Sequence, residues 1–325
     1  MVFKISGTAT VDNNRNLSAS SLGAIGSNSY IEVLSIPTAI GSTSGYTSGG
    51  NTPVYSNVID NFPFASNANA SDVGDLTVAR DLSAGQSSST FGYTSGGTTP
   101  GTPAVRSNVI DRFPFASNAN ASDVGDLTVA RMGLAGQTSR SDGYSSGGNN
   151  ASLTSVHTID KFPFASNANA TDVGGLTRAD FLLTGQSSPV HGYTTSGSGT
   201  NTIDKFPFAT NSSASTVGVI TATRLGAAGQ NSFTHGYTSG GQNSNVIDKF
   251  SFSTDANATS VGSLSQSRQY AAGQNSTTKG YSSGGILPPA TIYNTIDSFP
   301  FATDANATDV GDLTVARQSP AGQQY

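Results

Sequence analysis

Six aspartates recur in one setting, Ile-Asp-x-Phe-x-Phe, at Asp60, Asp111, Asp160, Asp204, Asp248 and Asp297. A set of carboxylates is raw material for acid–base or metal chemistry. A carboxylate that returns in every copy of a repeat is nevertheless expected to accept backbone N–H bonds at a turn. Five arginines, Arg80, Arg131, Arg224, Arg268 and Arg317, recur in the same way. A guanidinium with its fork of donors suits tying strand ends and carbonyls of adjacent units together. The acid pairs Asp72/Asp75, Asp123/Asp126 and Asp309/Asp312 offer oxygen ligands of the kind calcium takes. The matching positions of two other copies are Ser260/Ser263 and Thr216/Val219, which a shared metal design would not tolerate, so neither metal nor cofactor is expected. His191 and His235 precede Gly-Tyr pairs where other copies have Ser44, Phe91, Asp142 and Lys279. On separate units they are poor partners for one metal centre. They read as solvent-facing side chains on hairpin turns, with ligand contact as the alternative role.

Composition narrows what can position these residues. Among 325 residues only 35% are hydrophobic and there is no Trp, while 38 are Gly. Such a chain favours short polar-faced strands and many turns over helix. Charged residues make up 11% and the net charge is −5, so no nucleic-acid partner is expected. Without Cys there is neither disulfide framework nor thiolate chemistry. No apolar run is long enough to span a bilayer, and the stretch MVFKISGTATVDNNRN lacks the apolar centre of a secretory signal. Membrane insertion and ordinary signal-directed export are therefore not expected.

The spacing of a second cassette gives the architecture. GYTSGG or GYSSGG places Tyr46, Tyr93, Tyr144, Tyr237 and Tyr281 alike, and a degraded copy, GYTTSGSG, places Tyr193. From each of the first five aspartates to the next of these tyrosines the distance is 33 residues. From tyrosine to the following aspartate it runs 14, 18, 16, 11, 11 and 16, so all length variation sits in one loop type. Loops of one type in a stacked or radial array emerge on one face. GYTSGG, NVIDKFPF, LTVAR and the AGQ stretch read as four short strands per unit, with SNANASDVGD as a turn-rich tract. Four strands repeated six times fit a β-propeller. The chain ends in Arg317 and AGQQY, and the first cassette lacks a preceding Arg-x-x-x-Ala-Gly-Gln, so residues 321–325 are expected to complete the blade begun by Tyr46.

The order Arg80, Ala84, Gly85, Tyr93, Gly96, Gly97 resembles kelch repeats, and the resemblance covers residues 43–325. It implies an all-β, six-bladed kelch-like propeller with four antiparallel strands per blade. Kelch blades usually carry a tryptophan that this chain lacks, and the Phe-Pro-Phe pairs, such as Phe62 and Phe64, are expected to supply that bulk. The fourth cassette loses its glycine pair and Asp180 stands where Arg is expected, so that junction should be irregular. Of the enzymes built on propellers, a sialidase needs an arginine cluster with a tyrosine nucleophile, and a copper oxidase of kelch type needs a cysteine-modified tyrosine. Neither set is present, and no catalytic residue is expected. The Asn-Ala-Ser/Thr tracts are glycosylation sequons in form, but repetition within a turn accounts for them.

Residues 1–42 match no blade. The segment around GTATVDNNRNL resembles the opening of phage tail-fibre and related virion proteins, which implies an attachment arm, with strands expected over 3–11 and 29–36. The resulting expectation is a non-enzymatic virion protein, exposed on the particle or its tail, that acts in adhesion. Residues 1–42 would join other virion proteins, in a homo-oligomer on the particle. The loops 50–57, 97–108, 148–157 and 285–294 would meet a host glycan or protein, with Tyr55, His157 and Tyr293 as anchors. The rival expectations are a capsid decoration or tail adaptor, and more remotely a cell-surface adhesin or carbohydrate enzyme.

Overall fold

The computed structural model describes residues 9–11, 17–19 and 41–325. Contacts between Cα atoms divide the chain into units Met1–Ser35 and Ile36–Tyr325. In the first, Ala9–Val11 pairs antiparallel with Leu17–Ala19. The remainder of the strand expected over 3–11, and the one expected over 29–36, lie outside the described residues.

The second unit is a six-bladed β-propeller of four-stranded antiparallel sheets. In blade 2 the strands, from inner to outer, are Ala84–Ser87, Phe91–Ser95, Val109–Pro114 and Ser122–Asp126. Blades 3 to 6 repeat this order along the chain. Blade 1 is closed across the ends, because Ala321–Gln324 pairs with Ser44–Ser48 in the register Ser48↔Ala321 to Gly45↔Gln324. Tyr325 extends the seam by accepting the amides of Ser42, Thr43 and Ser44. Closure gives blade 1 its inner strand, so Ser44–Ser48 is paired on both sides as in the other blades.

One strand lies elsewhere than the sequence pattern suggests. The outer strand is Ser71–Asp75 and its counterparts, inside the tract that reads as turn. LTVAR is instead the linker that carries the chain to the next inner strand. Its Val and Leu do not alternate on a sheet: Leu76 is buried while Val78 is exposed.

The core is divided among the interfaces between blades. Tyr46, Ile59 and Leu76 of blade 1 cluster with Phe113 and Phe115 of blade 2. The same arrangement recurs as Tyr93 with Phe162 and Phe164, and onward round the ring to Tyr281 with Phe62 and Phe64. The Phe pairs thus pack on the cassette tyrosine of the preceding blade, and burial pushes the tyrosine phenols up, to about 12 at Tyr46 and Tyr144. The first glycine of each cassette is needed by this packing, since a Cβ on Gly92 would collide with the Phe113 ring. The second pair of glycines adopts positive φ, 66° and 105° at Gly96 and Gly97, where the chain turns into the variable loop.

Candidate binding face

The repeated acids and arginines meet at the blade junctions, and this pairing was not foreseen from their spacing. Arg80, on the linker leaving blade 1, lies 2.9 Å from Asp111 of blade 2, and both side chains are wholly buried. Arg131–Asp160, Arg268–Asp297 and Arg317–Asp60 repeat the pair at 3.1, 2.8 and 2.6 Å, and Arg224–Asp248 does so with slight exposure. Each carboxylate also accepts the amide and hydroxyl of a linker residue, as Asp111 does from Thr77. The guanidinium donates to a cassette carbonyl, Thr94 O for Arg80. Desolvation lowers the arginine pKa values and the facing aspartates pull them back up. Each linker is therefore held by main chain to the blade it leaves, through Gly50 N to Arg80 O, and by side chain to the blade it enters. These residues serve the ring.

A second six-fold latch lies nearer the axis. Gln86 Nε2 donates to Tyr144 O of the next blade, and Gln137, Gln186, Gln230, Gln274 and Gln323 make the same bond. The axis itself is blocked by backbone. A Cβ on any of Gly85, Gly136, Gly185, Gly229, Gly273 or Gly322 would strike main-chain atoms of the neighbouring inner glycine. Above them Leu82, Gly133, Leu182, Gly226, Tyr270 and Ser319, all at positive φ, form a closed ring of N–H···O=C bonds. The remaining axial cavity, about 120 Å³, has room for only a few water-sized molecules.

Function must then be sought on the faces. The variable loops and the linkers share one face, as the pairs Asp81↔Thr98 and Asn51↔Gln318 show. The hairpin turns occupy the opposite face, and the chain enters the ring there, where Gly41 bridges to Ser276. The longer loops belong to blades 6, 1, 2 and 3, which are contiguous, and the shorter to blades 4 and 5. Within that sector Val54, Val105 and Leu153 stand at the loop tips, 68, 54 and 67% exposed, with Val78, Val129 and Val315 exposed on the linkers between them. The loops and linkers carry no exposed carboxylate, and their accessible cations are Arg106 and Arg178.

The expected contact residues are not gathered into one site. Tyr55 and Tyr293 are on the loop face, both half-buried. His157 is exposed but stands away from the loop tip, at the position that is Asn57, Asn108, Asn201, Asn245 or Asn294 in other blades. Its ring lies against Gly175, where other blades have the side chains of Asp75, Asp126, Val219, Ser263 or Asp312. His191 and His235 begin second strands on the opposite face, so they cannot share a ligand with the variable loops. Each is half-buried, and burial first, then Lys205 or Lys249, lowers its pKa. Among the described residues no group of three or more His, Cys, Asp or Glu is arranged to hold a metal.

The junction of blades 3 and 4 departs from the pattern. Asp180, in the arginine position, turns to the degraded cassette loop and accepts the amides of Phe181 and Ser198. Asp204 has no guanidinium and takes the Thr177 amide and hydroxyl together with the Thr216 hydroxyl. Ser196 adopts φ 68° and Gly197 φ 136° where the other cassettes have two glycines.

No protein-family model matches the chain, and no curated protein matches it in sequence.

Proposed function

We propose that the chain is a non-enzymatic, kelch-like adhesion module of a phage virion, of the tail-fibre or receptor-binding kind, with the loop face turned toward the host. The observation that carries the reading is the division of labour between the faces. Chain length varies only in loops of one face, the longer loops are contiguous, and their tips expose aliphatic side chains. The described chain joins the ring at Gly41, on the face opposite the variable loops. Variable loops on a rigid scaffold are where recognition is usually placed. The acids and arginines that could have suggested catalysis are engaged in interblade pairs. The opening segment's resemblance to tail-fibre proteins supplies the virion, with residues 1–42 meeting other virion proteins.

The test replaces the blade 2 loop by the short loop of blade 5, reducing the Tyr93–Asp111 spacing to that of Tyr237–Asp248. Particles carrying the graft are expected to assemble normally and to adsorb to host cells at least tenfold more slowly. Unchanged adsorption with failed assembly would replace adhesion by a capsid-decoration or tail-adaptor role.

A further inference from the structure

Eight carboxylates are buried among the described residues: the six of the repeat, Asp81 and Asp180. Those of the repeat accept hydroxyl and amide donors, and Asp180 accepts two amides on Oδ1, while its Oδ2, buried without a hydrogen bond, faces Arg178 at 4.0 Å. Asp81 has no such ion pair. The Asn51 side chain and its own amide serve the carboxylate, yet Oδ1 is shut from solvent with no partner. The corresponding linker positions are Met132, Phe181, Leu225, Gln269 and Gln318, none of them charged. The ring therefore has no structural need of an acid there, and a buried polar atom without a partner calls for an explanation.

A second orphan lies beside it. Asp81 pairs with Thr98, and Thr98 pairs across the blade 2 loop hairpin with Arg106, so the acid and the base flank one residue in a lateral row. Arg106 Nε is likewise buried and unpartnered. Tyr55, from the blade 1 loop, completes the group: Asp81 and Arg106 both act on its phenol electrostatically. One missing donor, one missing acceptor and one aromatic ring thus meet under the loops of blades 1 and 2. The backbone hydrogen bonds of these loops run within each loop or to linkers, as from Ser56 to Gly50, Ser107 to Gly97 and Thr98 to Asp81.

We propose that this junction of blades 1 and 2, built from Asp81, Arg106, Asn51 and Tyr55, is a subsite for a neutral sugar residue, admitted when the two loops part. One sugar hydroxyl donates to Asp81 Oδ1, and an adjacent hydroxyl or ring oxygen accepts from Arg106 Nε. Adjacent hydroxyls are the common small group offering donor and acceptor side by side. The ring of Tyr55 gives the C–H face of the sugar an apolar neighbour. Neutrality follows from the pair itself, because the charges of Asp81 and Arg106 offset each other and an anionic or cationic ligand would leave one unanswered. The subsite deepens the adhesion reading and rests on the loop face being the contact face.

The test is saturation-transfer NMR of the full chain with glucose, galactose, mannose and N-acetylglucosamine, comparing wild type, Asp81→Leu, Arg106→Gln and, as a control on the turn face, Val190→Ser. Leu225 already occupies the position equivalent to 81, so Asp81→Leu is expected to fold, which thermal melting checks. The expected result is transfer from wild type and Val190→Ser to at least one sugar, and at least a tenfold loss of affinity in the other two variants. No transfer from wild type, or undiminished binding by Asp81→Leu, overturns the subsite and leaves the junction to a bridging water. Particle adsorption separates this from the broader reading. Adsorption that falls with the loop graft while no sugar binds sinks the subsite alone. Sugar binding that Asp81→Leu abolishes, with adsorption unaffected by the graft, upholds the subsite and sinks adhesion through this face.

Discussion

The junctions between blades 2 and 3 and between blades 3 and 4 share one backbone course and treat the same buried carboxylate differently. Asp160 faces the Arg131 guanidinium at 3.1 Å, with the Thr128 amide and hydroxyl completing its set. Asp204 has the equivalent Thr177 donors, but the Thr216 hydroxyl stands in for the missing cation. In both cases the oxygen atoms are satisfied, once by a charge and once by neutral donors. Hydrogen bonds to the charged form, more than a formal ion pair, are what a buried carboxylate requires. The arginine adds something the hydroxyls cannot, because its Nη2, the nitrogen that faces Asp160, also donates to Ser145 O on the second strand of blade 3 and fixes the linker to that strand.

The largest effect should come from breaking the regular junction. Arg131→Ala leaves Asp160 buried without its cation and frees the linker from Ser145 O, at a cost of about 3–5 kcal/mol. Chemical denaturation should show a lower midpoint with an unchanged slope, since the fold is kept. A loss below about 1 kcal/mol would mean that the Thr128 donors alone suffice, and the two junctions would then be equivalent.

The irregular junction is sharpened by removing its substitute donor. Thr216→Val keeps the shape but takes one hydroxyl from Asp204, and about 1–3 kcal/mol is expected. Ser260, at the matching place in blade 5, stands opposite Asp248, a carboxylate that already has Arg224, so Ser260→Ala should cost less than about 0.5 kcal/mol. Equal losses at the two positions would undo the assignment of Thr216.

Much of the ring was legible because it depends on spacing. The fixed 33-residue interval, the single variable loop and the complementary ends led to six blades and their closure, all of which the fold contains. The outer strand was misplaced for a physical reason. Ser71–Asp75 lies at the rim with little to bury, so it carries no apolar alternation, whereas LTVAR looks strand-like while running as a linker. Alternation also fails on the third strand, where Ile59 and Asp60 point to opposite sides and both are buried, because neighbouring blades cover both faces of the sheet. The Arg–Asp pairing could have been suspected from the fourth repeat, which alone lacks the arginine and alone has Thr in the acid-pair position before Val219. Asp81 had no signal in the repeat, since its meaning lies in differing from the other linkers. The two histidines were separated from the loop face by the direction of their strands, which runs them to the opposite end of the blade.

The third buried carboxylate extends the comparison and gives the smallest expected effect. Burial pushes the Asp81 carboxyl up from 3.8 to about 6, with Asn51 and Arg106 drawing it back only in part. A folded pKa above the unfolded one means that the group's contribution to stability is fully present below about pH 4 and is lost as pH rises through about 6. At pH 7.5 the ionised side chain is therefore a burden on the ring that a neutral residue removes. Asp81→Leu should raise stability at pH 7.5 by about 1–2 kcal/mol, the conservative side of what the shift allows for a group near the surface. The gain should shrink as pH falls, reaching zero near pH 4. Melting temperatures of wild type and variant, measured between pH 4 and 8, give the difference directly. A variant that is less stable than wild type at pH 7.5 would place Asp81 with Asp160 and Asp204 as a carboxylate the ring has satisfied, and would remove the reason for seeking its partner outside the chain.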